Sequence, residues 1–208
     1  MGPHSADIES FRHARFPEGE KGREMLERMN VSHRDLTVWC FEFVDFGQRI
    51  LDVGCGGGLA LETLAELFPH AELYGCDVSP LSIDIAKKRN EKHLAWRMNF
   101  KQCTVVDLIF PTGYFDTVIS IESLYFWPDV LGGLKEINRV LKKGGCFMTA
   151  LEMGNGPEDD NFKKLADEMK IYCPAPGELN DMMVQAGFNI LSLEHDQQRG
   201  WLCAVGQK

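Results

Sequence analysis

The residues that most clearly indicate a binding function are the four glycines between Asp52 and Leu59. They follow an apolar stretch ending at Val53, typical of a buried parallel strand, and precede a run with apolar residues at helical spacing. A strand, a glycine-rich turn and a helix bring backbone N–H groups and a helix N-terminus to one point. Glycine suits such a turn because a Cβ would obstruct both the turn and a ligand lying against the chain. The stretch therefore predicts a ligand-binding turn.

The spacing of the glycines distinguishes between classes of ligand. In a dinucleotide fingerprint, G-x-G-x-x-G, starting at Gly54, the third glycine position holds Leu59. The phosphate-loop pattern G-x-x-x-x-G-K-[ST] is absent. The stretch instead resembles D-x-G-x-G-x-G, the first motif of the class I S-adenosylmethionine-dependent methyltransferases. This resemblance implies S-adenosylmethionine as the cofactor, bound by Asp52, Gly54, Cys55, Gly56 and Gly58.

A second predicted strand, Glu72 to Asp77, ends in an acid that fits the same cofactor. A carboxylate in this place accepts charge-assisted hydrogen bonds from the two ribose hydroxyls of an adenosine. Val78 follows it at the same edge, and Ser79 is expected to cap a helix that begins at Pro80. The alternative for Asp77 is a helix-capping or surface aspartate.

The third predicted strand, residues 99–106, supplies the adenine side of the site. Related sequences often carry an acid near its end, whereas this chain has Thr104 followed by Val105. The segment 108–110 resembles the family's L-P-F segment, which aligns Thr104 rather than Asp107 with the adenine site. A threonine hydroxyl and backbone groups are able to serve there.

The fourth predicted strand, Phe115 to Ser123, ends with Ile121 and Glu122 at the carboxyl edge of the sheet. In open parallel sheets ligands bind in the crevice at that edge. Both residues are therefore expected at the cofactor, and Glu122 at its methionine end or at the substrate. The stretch resembles the family's F-D-x-V strand.

Aromatic residues mark the predicted substrate side. Tyr125 and Phe126 follow the fourth strand, and aromatic faces attract a cationic methyl group. A leading pair of helices, one from Lys21 and one from His33 to Phe46 capped by Ser32, carries Trp39. In the family such a segment often covers the cofactor. The alternatives are core packing for these aromatic side chains and a solvated position for His33.

The remaining pattern predicts a Rossmann-like, doubly wound α/β fold. Its seven-stranded sheet is mostly parallel with an antiparallel C-terminal strand, and an N-terminal helical cap precedes it. After a helix capped by Asp129, a block resembling the family's E-x-x-R-V-L-K-P-G-G precedes a fifth strand from Cys146. The last strands are 188–194 and 201–205. The chain is predicted to be one domain, with a cap (1–47), a cofactor-binding core (48–151) and a substrate-side segment (152–208).

Composition restricts the class of protein. The net charge of −9 disfavours a nucleic-acid partner, and no apolar run reaches membrane-spanning length. Seven cysteines without a C-x-x-C pattern indicate buried thiols in the cytoplasm. No His/Cys cluster has metal-ligand spacing, and Asp159-Asp160 at a predicted helix start complements the helix dipole, so no metal is expected.

Methyl transfer to a small-molecule acceptor is the function that these features favour. Direct in-line displacement needs alignment and exclusion of water more than a nucleophilic side chain. The catalytic residue is unknown, and the candidates for a general base are Glu122, Tyr125, His33 and His195. A nicotinamide-dependent oxidoreductase and a non-catalytic S-adenosylmethionine-binding regulator are the alternatives. The acceptor and the oligomeric state are not determined.

Overall fold

Seven strands form one sheet in a computed structural model that describes residues 8–94, 96–154, 166 and 171–208. Their order is β3-β2-β1-β4-β5-β7-β6. The first five pair in parallel, and β7 runs antiparallel to both of its neighbours. The predicted mostly parallel sheet with an antiparallel C-terminal strand is confirmed. The strands are β1 (Arg49–Val53), β2 (Glu72–Asp77), β3 (Met98–Gln102), β4 (Phe115–Ile121), β5 (Leu141–Leu151), β6 (Asn189–Asp196) and β7 (Trp201–Gln207).

Helices cover both faces of this sheet and bury its apolar side chains. One face packs against α6 and α7 through residues such as Leu134 and Met183. The opposite face packs against α3, α4 and α5 through residues such as Leu36 and Leu64. The helices are α1 (Ile8–Arg15), α2 (Gly19–Ser32), α3 (Arg34–Phe41), α4 (Leu59–Leu67), α5 (Pro80–Arg89), α6 (Val130–Val140) and α7 (Pro176–Gln185). Along the described residues, no helix combines the length and apolar character needed to cross a bilayer.

Two predicted helix caps are confirmed, and one is wrong. Ser79 accepts a hydrogen bond from the Ser82 N–H at the start of α5, and Asp129 accepts one from Gly132 at the start of α6. Ser32 does not cap α3. It is the last residue of α2, where its hydroxyl donates to the Met29 carbonyl one turn earlier.

Other boundaries also differ from the prediction. The sequence analysis predicted no helix at the position of α1. Helix α3 ends at Phe41 rather than near Phe46. Strand β3 ends at Gln102 because the next residues fold back into an isolated bridge between Thr104 and Asp107.

Strand β5 begins at Leu141, five residues before Cys146. This early part of β5 is held by the chain end, since Gly144 donates to the Lys208 carbonyl and Lys208 donates to Gly145. His195 lies within β6 and not in the following turn. The predicted helix start at Asp159-Asp160 falls outside the described residues.

Candidate active site

A cavity of about 360 Å³ opens at the carboxyl ends of β1, β2 and β4. The glycine turn forms its floor, and Leu26, Met29 and Asn30 of α2 form part of its opposite wall. Helix α2 is held there by the segment before it, because the buried Ser79 hydroxyl donates to the Pro17 carbonyl. The cavity thus lies where the crevice rule for open parallel sheets places a ligand.

The glycine turn is shaped by its protein neighbours as much as by space for a ligand. Gly54 and Cys55 donate their N–H groups to the Cys76 carbonyl, which ties the turn to β2. Gly56 has a φ of +48°, and a Cβ there would meet only Leu26, at 3.7 Å. Gly56 is therefore the position at which the bare backbone faces open space.

Gly58 has a different role from the predicted one. It does not line the cavity, and its φ is +79°. A Cβ on it would lie 2.9 Å from the Cβ of Ala86 and 2.8 Å from the amide of Asn90, both on the α5 side. The third motif glycine is needed because α5 packs closely against the start of α4, a contact that the sequence pattern does not reveal.

Two buried carboxyl groups stand beside the turn. Asp77 accepts hydrogen bonds from the N–H of Gly56 (3.0 Å) and of Ser79 (2.8 Å). Burial raises the pKa of Asp77, and these hydrogen bonds oppose the rise. Burial, together with the charge of Asp77, raises the pKa of Asp52 to about 8. A positively charged ligand in the cavity would stabilise both carboxylates.

The adenine side of the predicted site also lies in the cavity wall. Cys103, Thr104 and Val105 line it, together with Val78 from the end of β2. Asp107 is exposed and does not line the cavity, so Thr104 is the nearer of the two polar candidates. Ile121 and Glu122 complete the wall at the end of β4.

An acid–histidine cluster occupies another part of the cavity. Glu122 has a φ of +55°, and its side chain is 11% exposed. Its Oε2 lies 3.9 Å from His33 Nε2, which is also 3.8 Å from Glu152 Oε2. Burial and the charge of Glu152 raise the pKa of Glu122 to about 8, whereas burial lowers the pKa of His33 to about 4. His33 is thus a nearly buried, neutral side chain and not a solvated one.

Tyr125 contacts this cluster from behind the cavity wall. It is only 1% exposed and does not line the cavity. Its hydroxyl donates to Glu122 Oε1 (2.8 Å) and accepts from the Met153 N–H (3.0 Å). Burial, the largest cause, and the charge of Glu122 raise the pKa of the hydroxyl. The structure therefore places Tyr125 behind the site, and Phe126 and Trp127 line the cavity instead.

Two other candidates lie apart from the cavity. Trp39 packs against Phe43 and Trp201, with ring centroids 5.0 and 5.6 Å apart, and Thr37 of the same helix lines the cavity in its place. His195 lies on the outermost strand, β6. Helical spacing identified the apolar residues of α3 without showing which of them faces the crevice.

Glu152, Asn30 and Ser123 are among the cavity or cluster residues that the sequence analysis missed. Glu152 follows β5, the next strand along the same edge, so the crevice rule applied to one more strand would have found it. Asn30 and Ser123 also line the cavity. Within the described part of the chain, the buried amide nitrogen of Asn30 has no hydrogen-bond partner, which makes it a donor available to a ligand.

Comparison with known proteins identifies the domain. Residues 51–149 match the methyltransferase domain family. The chain is 30% identical over 192 residues to cycloartenol-C-24-methyltransferase of Arabidopsis thaliana, a match that covers 88% of this chain and 55% of that protein. Residues 51–149 form a domain of the class I S-adenosylmethionine-dependent methyltransferase family. S-adenosylmethionine is the cofactor of this family, as the glycine motif implied.

Two further similarities support the methyltransferase domain. Malonyl-[acyl-carrier protein] O-methyltransferase of Legionella pneumophila is 36% identical over 151 residues, covering 70% of this chain and 50% of that protein. The chain thus spans about half the length of these curated relatives. A chain in the complex between the Haloferax volcanii Trm112 methyltransferase activator and the putative methyltransferase shares the fold. The TM-score is 0.76 at 22% identity, with 89% of this chain and 93% of that chain covered.

Proposed function

We propose that the domain transfers the methyl group of S-adenosylmethionine to a small-molecule acceptor by direct displacement, releasing S-adenosylhomocysteine. The observation that carries this proposal is the composition of this cavity. It joins the glycine turn and the ends of β1 and β2 to a separate acid–histidine cluster. One part suits a nucleoside with a positive charge, and the other suits the group that reacts with it.

The cavity's own groups fit the cofactor in charge and in hydrogen bonding. S-adenosylmethionine supplies a methyl group on a positively charged sulfur. Asp52 and Asp77 provide two carboxyl groups whose ionised forms a positively charged ligand would favour, Gly56 offers open backbone, and Asn30 offers an unpartnered donor. The residues that we assign to the cofactor are Asp52, Gly54, Cys55, Gly56, Asp77, Val78, Thr104, Val105 and Ile121, with Gly58 shaping the turn and Glu122 placed between the cofactor and the acceptor.

A small acceptor is supported by charge and by the relatives. The net charge of −9 disfavours a nucleic-acid substrate. The names of the Arabidopsis and Legionella relatives describe methylation of cycloartenol and of a malonyl group on a carrier protein. The aromatic wall of Phe126 and Trp127 suits a compact organic acceptor. The seven cysteines, all free, support a cytoplasmic location as part of the proposal.

The test is release of S-adenosylhomocysteine by the purified protein with S-adenosylmethionine and pools of small-molecule acceptors. We expect release that depends on one pool. Binding of S-adenosylmethionine in calorimetry with no release from any pool would favour the non-catalytic regulator. Binding of a nicotinamide cofactor in place of S-adenosylmethionine would contradict the proposal.

A further inference from the structure

Three titratable side chains from separate elements lie together at the cavity, and two of them, His33 and Glu122, are part of its lining. The atoms concerned are His33 Nε2 from the junction of α2 and α3, a carboxylate oxygen of Glu122 after β4, and one of Glu152 after β5. All three atoms lie within 4.8 Å of one another. The separations of 3.8 and 3.9 Å from the imidazole are too long for hydrogen bonds within the cluster.

The side chains of the cluster meet without hydrogen bonds between His33 and the two glutamates. Glu122 Oε1 already accepts hydrogen bonds from the Tyr125 hydroxyl and from the Glu152 N–H, so its Oε2 is the atom directed at His33. Glu122 Oε2 and Glu152 Oε2 lie 3.9 and 3.8 Å from the imidazole, beyond hydrogen-bonding distance. Both oxygens are therefore open to a ligand that supplies positive charge and N–H donors.

The charge states of the three groups also favour a cationic ligand. Burial raises the pKa of Glu122 and of Glu152 and lowers the pKa of His33. Without a neighbouring positive charge Glu122 stays largely protonated below about pH 8, and a bound cation would favour its carboxylate form. The neutral imidazole has a lone pair on one of its two nitrogens. A ligand that carries both positive charge and several N–H donors would satisfy all three groups.

The surrounding wall favours an organic ligand. Phe126, Trp127 and Pro128 line the same cavity, and so does Met29 of α2. Aromatic faces attract a cationic nitrogen and its carbon substituents. The cavity thus combines the cluster residues His33 and Glu122 with an apolar lining, as expected for a polar head group with a carbon body.

We propose that His33, Glu122 and Glu152 form an ammonium-binding subsite, and that the methyl acceptor is a primary or secondary amine. This inference rests on the proposed methyltransferase function and adds the class of acceptor to it. The N–H groups of the ammonium donate to the two carboxylates and to the imidazole. The amine's carbon substituent lies along Phe126 and Trp127.

The subsite also accounts for the proton that the reaction must remove. A carboxylate of the cluster takes one proton from the ammonium, which frees the nitrogen lone pair. The nitrogen then forms a bond to the methyl carbon as the carbon–sulfur bond breaks, and that electron pair stays on sulfur. The product is a methylated ammonium, and the proton leaves through Glu152, whose side chain is 33% exposed.

A divalent metal ion is the competing occupant of the same three groups. In a tetrahedral zinc site with bonds of about 2.1 Å, neighbouring ligand atoms lie roughly 3.4 Å apart. Around a tetrahedral ammonium with N···O contacts of about 2.8 Å, neighbouring acceptor atoms lie roughly 4.6 Å apart, so the 3.8 and 3.9 Å separations fall between the two cases. The aromatic wall has no part in metal binding. The aromatic lining therefore favours the amine, and metal binding becomes an outcome of the test.

The test titrates the full chain, saturated with S-adenosylhomocysteine, with three ammonium probes in calorimetry. The probes are ethylammonium, benzylammonium and n-octylammonium, each paired with the alcohol of the same carbon skeleton. We expect at least one ammonium to bind about tenfold or more tightly than its alcohol. Glu122→Gln and Glu152→Gln should each weaken that ammonium about tenfold and leave the alcohol unchanged.

Glu66→Gln is the matched control, because Glu66 is an exposed carboxylate on α4 outside the cavity. Glu122→Gln keeps an oxygen that can accept from Tyr125 and from the backbone, and an unchanged melting temperature would verify its folding. With S-adenosylmethionine, the bound amine should gain one methyl group by mass spectrometry.

Three results would overturn the inference. In the first, S-adenosylhomocysteine binds but none of the ammonium probes does, which leaves methyl transfer intact and removes the amine. In the second, an ammonium binds equally well to both glutamine variants. In the third, Zn²⁺ or Mn²⁺ binds stoichiometrically, is lost in Glu122→Gln, and excludes the ammonium. Failure to bind S-adenosylhomocysteine itself would instead contradict the proposed function.

Discussion

At the scale of single residues, Asp77 combines a structural and a proposed binding role. One carboxylate oxygen holds the N–H of Gly56, and the other holds the N–H of Ser79. A carboxylate has about four lone-pair sites, so two remain for a ligand. The same side chain therefore fixes the open part of the glycine turn and faces the space in which we place the ribose.

Replacing Asp77 by Asn tests this ribose contact. An amide keeps one acceptor for the turn but loses the charge, so S-adenosylmethionine binding should weaken by about 2 kcal/mol. Calorimetry measures the change, and Asp84→Asn on the exposed side of α5 serves as the control. An affinity equal to that of the unmodified protein would rule out the ribose role.

At the scale of elements, the site depends on several segments that pack against the glycine turn after β1. Helix α5 meets Gly58, and Ser123, the residue after Glu122, meets Gly54, where an added Cβ would clash with the Ser123 hydroxyl. Helix α2 closes the other side, held by the Ser79–Pro17 hydrogen bond. The position of the turn therefore depends on how these elements pack.

Gly58→Ala should reveal this packing. It imposes a side chain at a φ of +79° and brings its Cβ close to Ala86 and Asn90. Left-handed strain costs about 1 kcal/mol and overpacking adds about 2, so we expect urea denaturation to show a loss of about 3 kcal/mol.

Gly113→Ala is the control that separates backbone strain from overpacking. Gly113 has a φ of +67°, and nothing lies within 4 Å of its Cβ position. Strain alone should therefore cost about 1 kcal/mol there. Equal losses in the two variants would show that the α5 contact does not constrain the turn.

At the scale of the whole molecule, the cavity destabilises the fold in a pH-dependent way. Burial raises the pKa of Asp52 and of Glu122 to about 8, far above the values of an unfolded chain. The folded state then holds protons that the unfolded state releases. The stability that these protonated groups contribute is present in full below about pH 4, and it is lost as the pH rises through about 8.

The free energy of unfolding without ligands should therefore fall between pH 6.5 and 8. Each of the two groups contributes at most about 1.4 kcal/mol per pH unit. His33, whose pKa burial lowers to about 4, changes stability only below about pH 6.5 and does not contribute in this window.

Urea denaturation at pH 6.5 and at pH 8 measures this decrease in the free energy of unfolding. Asp52→Asn should make the decrease smaller, whereas Asp84→Asn should leave it unchanged. A fall in Asp52→Asn as large as in the unmodified protein would show that the Asp52 carboxyl does not stay protonated in the folded state.

The sequence by itself determined the family and the segments that end at the ligand-binding edge of the sheet. A glycine turn after the first strand, an acid at the end of the second and a polar end to the fourth are local patterns, recognisable because parallel strands share one edge. The sheet and the cap residues Ser79 and Asp129 followed from the same kind of signal. The division into cap, core and final segment stays a prediction.

Only the tertiary structure decided which side chains face one another across the crevice. It placed Trp39 outside the cavity and Tyr125 beneath it, and it brought His33 to Glu122 and Glu152 from distant parts of the chain. Helical spacing defines an apolar face but not what that face contacts. The pairing of charges depends on packing between elements far apart in sequence, and no local pattern records it.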